Sequence, residues 1–250
     1  MPPVSRRIVI VGATSSMAEH CARRWVDQCA TEFVLVARSA ARAERIAADL
    51  RVRGATAVRV LEGAFDDPAA IGDLVRRACV DGAPDIVLIA HGDLPDQDRC
   101  QDDLAACAQA LAVNGVSPVL FAEGFAKGMF ARGAGTLIVI GSVAGDRGRR
   151  SNYTYGAAKG LVTRYVQGLQ HRSAGTAVRI VLIKPGPTAT PMTRHLAERG
   201  AKLASVETVA ERIVAGAAAG TPTVYAPAKW ALIMMVIRHL PRRIFDRINI

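Results

Sequence analysis

The 250-residue chain is half hydrophobic yet only 5% aromatic, so its core must be Ala, Val, Leu and Ile, which suits a helix-covered parallel sheet better than an all-β sandwich. Its 32 Lys+Arg against 22 Asp+Glu leave +10, compatible with anionic lipid or a phosphorylated ligand; nucleic acid is set aside because no aromatic-basic stacking motif or recognition helix accompanies the charge. The five cysteines show neither C-x-x-C nor His-linked spacing, which argues against a disulfide framework or a zinc-type metal site and predicts a reducing, cytoplasmic setting.

In chain order, the N-terminus runs directly into a strand without an apolar leader. Short continuous apolar runs at Ile8–Val11, Phe33–Val36, Ala57–Leu61, Ile86–Ala90, Thr136–Ile140 and Val178–Ile183 read as buried parallel strands. Helical stretches at about 17–30, 40–53, 68–81, 98–131 and 155–173 separate them. After Pro185 the prolines multiply, and a helix at about 205–219, a short strand at 223–226 and an apolar-basic end follow. This alternation predicts a doubly wound α/β sheet in a single domain over 1–250, with 191–225 as a substrate-side cover and 226–250 as a tail. The longest apolar run, Trp230 to Ile237, is below the roughly 20 residues a spanning helix needs, so no membrane crossing is expected.

The turn Gly12-Ala13-Thr14-Ser15-Ser16-Met17 follows the first strand and opens a helix, where backbone N–H groups and the positive end of the helix dipole can hold a pyrophosphate. Of the three glycines usual in such a turn only Gly12 is present, with Ser16 and Ala18 in the other places. The second strand ends at Arg38, where an NAD site carries an acidic residue for the ribose hydroxyl; a guanidinium there favours the 2′-phosphate of NADP(H) over NAD(H). The alternative is a solvated arginine.

Tyr155 and Lys159 stand four apart, on one face of a helix, an arrangement in which an ammonium can stabilise a phenolate for acid/base work. Ser142 stands at the C-terminal end of a strand, where ligands bind in open parallel sheets. His91 lies near the same cleft, but the Tyr–Lys pair already supplies acid/base function, and packing is the favoured reading. His171 and His195 show no partnered spacing and receive no role.

Gly12 and its turn, Asn114 in V-N-G, Ser142 in G-S-V-A-G, the run Y-G-A-A-K and P-G-P-T-A-T-P-M at 185–192 occur in one order. They resemble the short-chain dehydrogenase/reductase family over residues 6–195. The resemblance implies a Rossmann-type fold and a tetrad of Asn114, Ser142, Tyr155 and Lys159, in which Asn114 links the lysine to solvent through water. It also implies that Pro185 and Gly186 shape the nicotinamide turn and that Thr188 or Thr190 holds the carboxamide, while Lys184 merely flanks it. Ala64 and Phe65 stand where an acidic residue often holds adenine, and Ile89-Ala90-His91-Gly92 replaces N-N-A-G, so Ala64, Phe65, Ala90 and Gly92 are further cofactor positions. The family's habit of pairing through its long helices implies a homo-oligomer.

Arg147, Arg149 and Arg150 border the substrate side, where they could hold a phosphate or simply be solvated. The tail mixes Trp230–Ile237 with arginines and suits either an anionic membrane interface or packing on the domain or a second subunit. G-D-R-G-R-R-S-N-Y-T-Y-G-A-A-K-G and R-H-L-P-R-R-I-F resemble a narrower group, reductases of decaprenylphosphoryl-linked keto-pentoses that act after a flavin oxidase has made the ketone. A reductase of a polyprenyl-phosphate-linked keto sugar, peripheral at the inner membrane face, is therefore the leading expectation. A reductase of a soluble ketone or alcohol, and a nonenzymatic NADP(H)-binding sensor, are the alternatives.

Overall fold

A computed structural model describes residues 6–198 and 200–248, apart from the side chains of His195 and Leu196. The first five residues, where no leader was read, and the last two of the tail lie outside the described residues, as does the side chain of His195. The first half runs β1 (Arg6–Val11), α1 (Ser16–Val26), β2 (Thr31–Ala37), α2 (Ala40–Val52), β3 (Ala57–Glu62), α3 (Pro68–Ala78) and β4 (Ile86–Ile89). It continues through α4 (Gln97–Asp102), α5 (Leu104–Leu111), α6 (Ser117–Arg132), β5 (Ala134–Ile140), α7 (Tyr153–Ser173) and β6 (Ala177–Pro185). The short α8 (Arg194–Glu198), then α9 (Val206–Ala219), β7 (Thr223–Ala226), α10 (Lys229–His239) and α11 (Arg242–Phe245) complete it.

The seven strands form one parallel sheet in the order β3-β2-β1-β4-β5-β6-β7. Successive strand residues point to opposite faces, so the inner strands feed two cores, while the edge strand β7 gives Val224 and Ala226 to one of them. Ile8, Ile10, Phe33, Leu35 and Ile138 pack under α1, α2 and α9; Val9, Val11, Val34, Val36 and Val139 pack under α3, α6 and α7. Burial on both faces is why the strands read as continuous apolar runs. The strand order reverses between β1 and β4, which opens the crevice where such sheets bind ligands.

The single helix expected over 98–131 is instead three helices joined at two irregular points. Asp103 is extended and its carboxylate accepts from the Ala105 N–H at 2.8 Å, ending α4 and capping α5. Residues Ala112–Val116 form a π-helical turn, closed by Ser117 N–H donating to the Ala112 carbonyl. Pro118 explains it: proline has no N–H for the Asn114 carbonyl and its ring crowds that carbonyl, so the backbone widens there. From Leu104 to Arg132 the helix is long and apolar enough to cross a membrane by length and composition. Its Phe121, Phe125 and Met129 nevertheless pack against the sheet, as in a core helix.

The stretch 191–225 divides between two tasks. Pro191, Met192 and Thr193 line the crevice, whereas α9 packs Val209, Ile213 and Ala217 into the core and β7 extends the sheet.

Candidate active site

The C-terminal ends of β1, β2, β4, β5 and β6 surround a cavity of about 790 Å³. Gly12 shapes its floor: φ is +77°, and a Cβ there would sit 2.6 Å from the His91 nitrogen. Thr14, Ser15, Ser16 and Met17 line the cavity at the start of α1, whose first N–H groups lack helical partners. Ala18 is buried against the core, so a small side chain suffices where the third glycine would stand. A glycine-floored turn at a helix N-terminus in a cavity of this size fits a dinucleotide.

Arg38 lies at the far end of the cavity and Arg42, one turn into α2, lies with it. An adjoining pocket of about 260 Å³ is lined by Arg38, Gly63, Ala64, Phe65 and Asp66. Arg42 and Asp66 were not singled out from the sequence; R-S-A-A-R, with arginines at either end of a helix's first turn, was the available signal for Arg42. His91 forms the wall between the two pockets, edge-on to Phe65 and Phe121 at 5.0 and 5.5 Å. Burial drives its pKa down to about 3, so it is neutral, with Nε2 against the Ser117 hydroxyl at 2.9 Å. That environment is one of packing rather than acid/base work.

Ala90 and Gly92 line the cavity beside it, and Gly92 lets the backbone approach the tetrad: a Cβ there would lie 2.8 Å from Asn114 Oδ1. Tyr155, Ser142, Lys159 and Asn114 are indeed brought together. Gly145 and Gly156 make this possible, because a Cβ on either would strike Lys159 or Ala144 backbone atoms within 3.0 Å. Ser142 hydrogen-bonds Tyr155 and accepts from the Ala144 N–H at 3.1 Å. Lys159 Nζ donates to the Ile140 carbonyl at 3.1 Å and lies 5.8 Å from the centre of the Tyr155 ring.

The expected stabilisation of a phenolate by Lys159 is not what the site displays. Burial pushes Tyr155 up to about 12, against the favourable Ser142 hydrogen bond, and pushes Lys159 down to about 8. The phenol is therefore protonated at neutral pH, the form that donates a proton. Asp93, which the sequence reading passed over, opposes the fall at Lys159 through its charge. It also holds Asn114 from two sides, donating its N–H to Oδ1 at 2.9 Å and accepting from Nδ2 at 2.8 Å. The second Nδ2 hydrogen goes to the Ala110 carbonyl at 3.0 Å, so both amide hydrogens of the buried Asn114 have protein partners. Gln97, also missed, buries its amide against Thr154 and satisfies the Thr154 N–H at 2.9 Å in the first turn of α7.

On the substrate side, Pro185 ends β6 and Gly186 passes so close under Trp230 that any side chain would overlap the indole. Thr188 and Thr190 both line the cavity; Thr188 is buried and donates to the Gly186 carbonyl at 2.9 Å, while Thr190 caps the turn with Thr193. Lys184 is not a mere flanking residue: its ammonium forms a buried ion pair with Asp146, which also accepts from the Tyr225 hydroxyl at 2.9 Å. The three arginines part company. Arg147 donates to the Ile237 and Leu240 carbonyls at 2.6 and 2.7 Å and stacks 3.7 Å over Phe245, which ties the tail to the domain. Arg149 lines the cavity, and Arg150 is exposed.

This fold and this constellation are those of the short-chain dehydrogenases, whose family model matches residues 6–201, and the chain belongs to that family. It is accordingly an oxidoreductase of the CH–OH/C=O pair that uses a nicotinamide cofactor. An uncharacterized oxidoreductase of Mycobacterium tuberculosis is 34% identical over 247 residues, 96% of each chain. Galactitol 2-dehydrogenase (L-tagatose-forming) of Cereibacter sphaeroides is 30% identical over 193 residues, 76% of this chain and 74% of its own. In fold alone, a bulky-bulky ketone specific alcohol dehydrogenase from Comamonas testosteroni superposes with a TM-score of 0.81 at 19% identity, over 98% of this chain and 95% of that one.

Proposed function

We propose that the protein is an NADPH-dependent reductase of a ketone, and that the ketone is the keto group of a pentose linked to a polyprenyl phosphate. The observation that carries the reading is the meeting of Tyr155, Ser142 and Lys159 in the cavity that also reaches Arg38. Tyr155 gives its phenolic proton to the carbonyl oxygen and Ser142 hydrogen-bonds the same oxygen, so charge that develops there is met by placed donors. Lys159 keeps its ammonium at neutral pH and orients the cofactor ribose, with Asn114 and Asp93 behind it. A nicotinamide cofactor, held by the 12–17 turn, Arg38, Ala64, Phe65, Ala90, Gly92 and the turn from Pro185 to Thr190, supplies the hydride when bound. The preference for NADPH rests on Arg38 and Arg42, two guanidiniums suited to a 2′-phosphate.

The lipid-linked substrate is supported by the tail. Helix α10 exposes Leu232, Met235 and Val236 on one side, and Lys229, Arg242, Arg243 and Arg247 are also exposed in this segment, as suits peripheral contact with an anionic inner membrane face. A flavin oxidase that makes the ketone is the partner this reading requires. The galactitol 2-dehydrogenase relative supports a keto sugar but equally a soluble one. Exposed Leu104, Leu111, Val116 and Leu161 on the long helices support a homo-oligomer.

The test is cofactor oxidation with a membrane lipid extract before and after treatment with a flavin oxidase. The reading expects oxidation of NADPH in preference to NADH, and only after treatment. Equal reduction of a soluble keto-pentose would favour the soluble substrate, and turnover of neither would favour a nonenzymatic sensor.

A further inference from the structure

The loop between β5 and α7 places three arginines within four positions, and the fold gives them different fates. Arg147 is committed to the tail through two carbonyls and Phe245. Arg150 is exposed and does not line the cavity. Arg149 lines the same cavity as Tyr155 and Ser142, and its Nε and Nη2 are shut off from solvent with no hydrogen-bond partner among the described residues. The carboxylate whose charge reaches it, Asp146, is already held by Lys184 and Tyr225. A guanidinium stays charged, and burying two of its N–H groups without acceptors is unfavourable unless an anion completes them. Nε and Nη2 form the side-on edge of the guanidinium, whose two parallel N–H bonds match two oxygens of a phosphate.

We infer that Arg149 is the anion anchor of the substrate site, taking two oxygens of a phosphate ester on the substrate while Tyr155 and Ser142 take the carbonyl oxygen. This deepens the reductase reading of the same cavity and rests on it. The shared chemistry is a phosphate ester, which a polyprenyl phosphate or a soluble sugar phosphate could supply.

The experiment is calorimetric titration of the NADPH-saturated protein with phenyl phosphate and with farnesyl phosphate in detergent. The wild type should bind; Arg149→Met should bind at least about tenfold more weakly, the loss of charge-assisted hydrogen bonds, and Arg149→Lys should recover part of it. NADPH affinity should not change, and the melting temperature of Arg149→Met should equal or exceed that of the wild type, because an unpaired buried charge is gone. Stronger binding of the farnesyl ester would assign the anion to a lipid, and equal binding to a soluble ester. Failure of the wild type to bind either phosphate, or equal binding by Arg149→Met, overturns the anchor. Arg149-dependent binding without reduction of any ketone would leave the anchor standing and remove the reductase reading.

Discussion

The two ends of the cavity are built by different means. The cofactor end is made of strand termini and backbone turns held by short-range or sheet hydrogen bonds, such as Gly12 N–H to the Val36 carbonyl and Ala90 N–H to the Val11 carbonyl, both 2.9 Å. The substrate end is made of side chains that reach across the sequence: Lys184 to Asp146 to Tyr225, Arg147 to the carbonyls of Ile237 and Leu240, and Gln97 to Thr154. A backbone-built end tolerates Ser16 and Ala18 in place of glycines provided Gly12 is kept. A side-chain-built end depends on individual residues, and one substitution can undo it.

The largest expected effect lies where the two ends meet. Tyr155→Phe should lower turnover by about 10²–10⁴ while NADPH binding, followed by fluorescence titration, stays near wild type. Retention of more than a tenth of the activity would show that another group donates the proton. At the substrate end, Lys184→Met leaves the Asp146 carboxylate buried without its cation, which should cost about 3–5 kcal/mol of stability. Urea denaturation should report it as a lower midpoint at unchanged slope. A change below about 1 kcal/mol would mean that the buried pair does not organise this end.

At the cofactor end the changes should be smaller and confined to binding. Arg38→Asp should weaken NADPH at least about tenfold and improve NADH relative to it, since it removes a charge-assisted contact and adds repulsion. An unmoved preference ratio would mark Arg38 as a surface residue. The smallest effect concerns Asp93. Lys159, pushed down to about 8, loses its charge as pH rises, whereas Tyr155 stays protonated to about 12; kcat/KM for reduction should therefore fall above about pH 8. Because the Asp93 charge holds the ammonium up, Asp93→Asn should move that fall to lower pH by a fraction of a unit. A shift to higher pH would contradict the electrostatic role.

The same contrast explains what was legible in the sequence. The continuous Val and Ile runs, Gly12 and the four-residue spacing of Tyr155 and Lys159 are local patterns set by strand burial, turn geometry and helix pitch. The π turn was hidden because Pro118 reads as a tolerated helix residue until its effect on the Asn114 carbonyl is followed. Asp93 and Gln97 acquire their roles only through partners 21 and 57 positions away. Lys184 looked like a flanking cation because its counter-ion lies 38 positions earlier, and the anchoring of Arg147 was invisible because backbone carbonyls carry no residue-specific signal.

The central claim is that the cavity joins a nicotinamide to a ketone under Tyr155, and deuterium transfer tests it most directly. The wild-type protein would be incubated with NADPH deuterated at the transferable C4 position and the oxidase-treated lipid substrate, and the alcohol analysed by mass spectrometry and NMR. The account predicts one deuterium on the new carbinol carbon, of a single configuration, and none above background with Tyr155→Phe. Reduced product without deuterium at that carbon, or equal label with the variant, would contradict it.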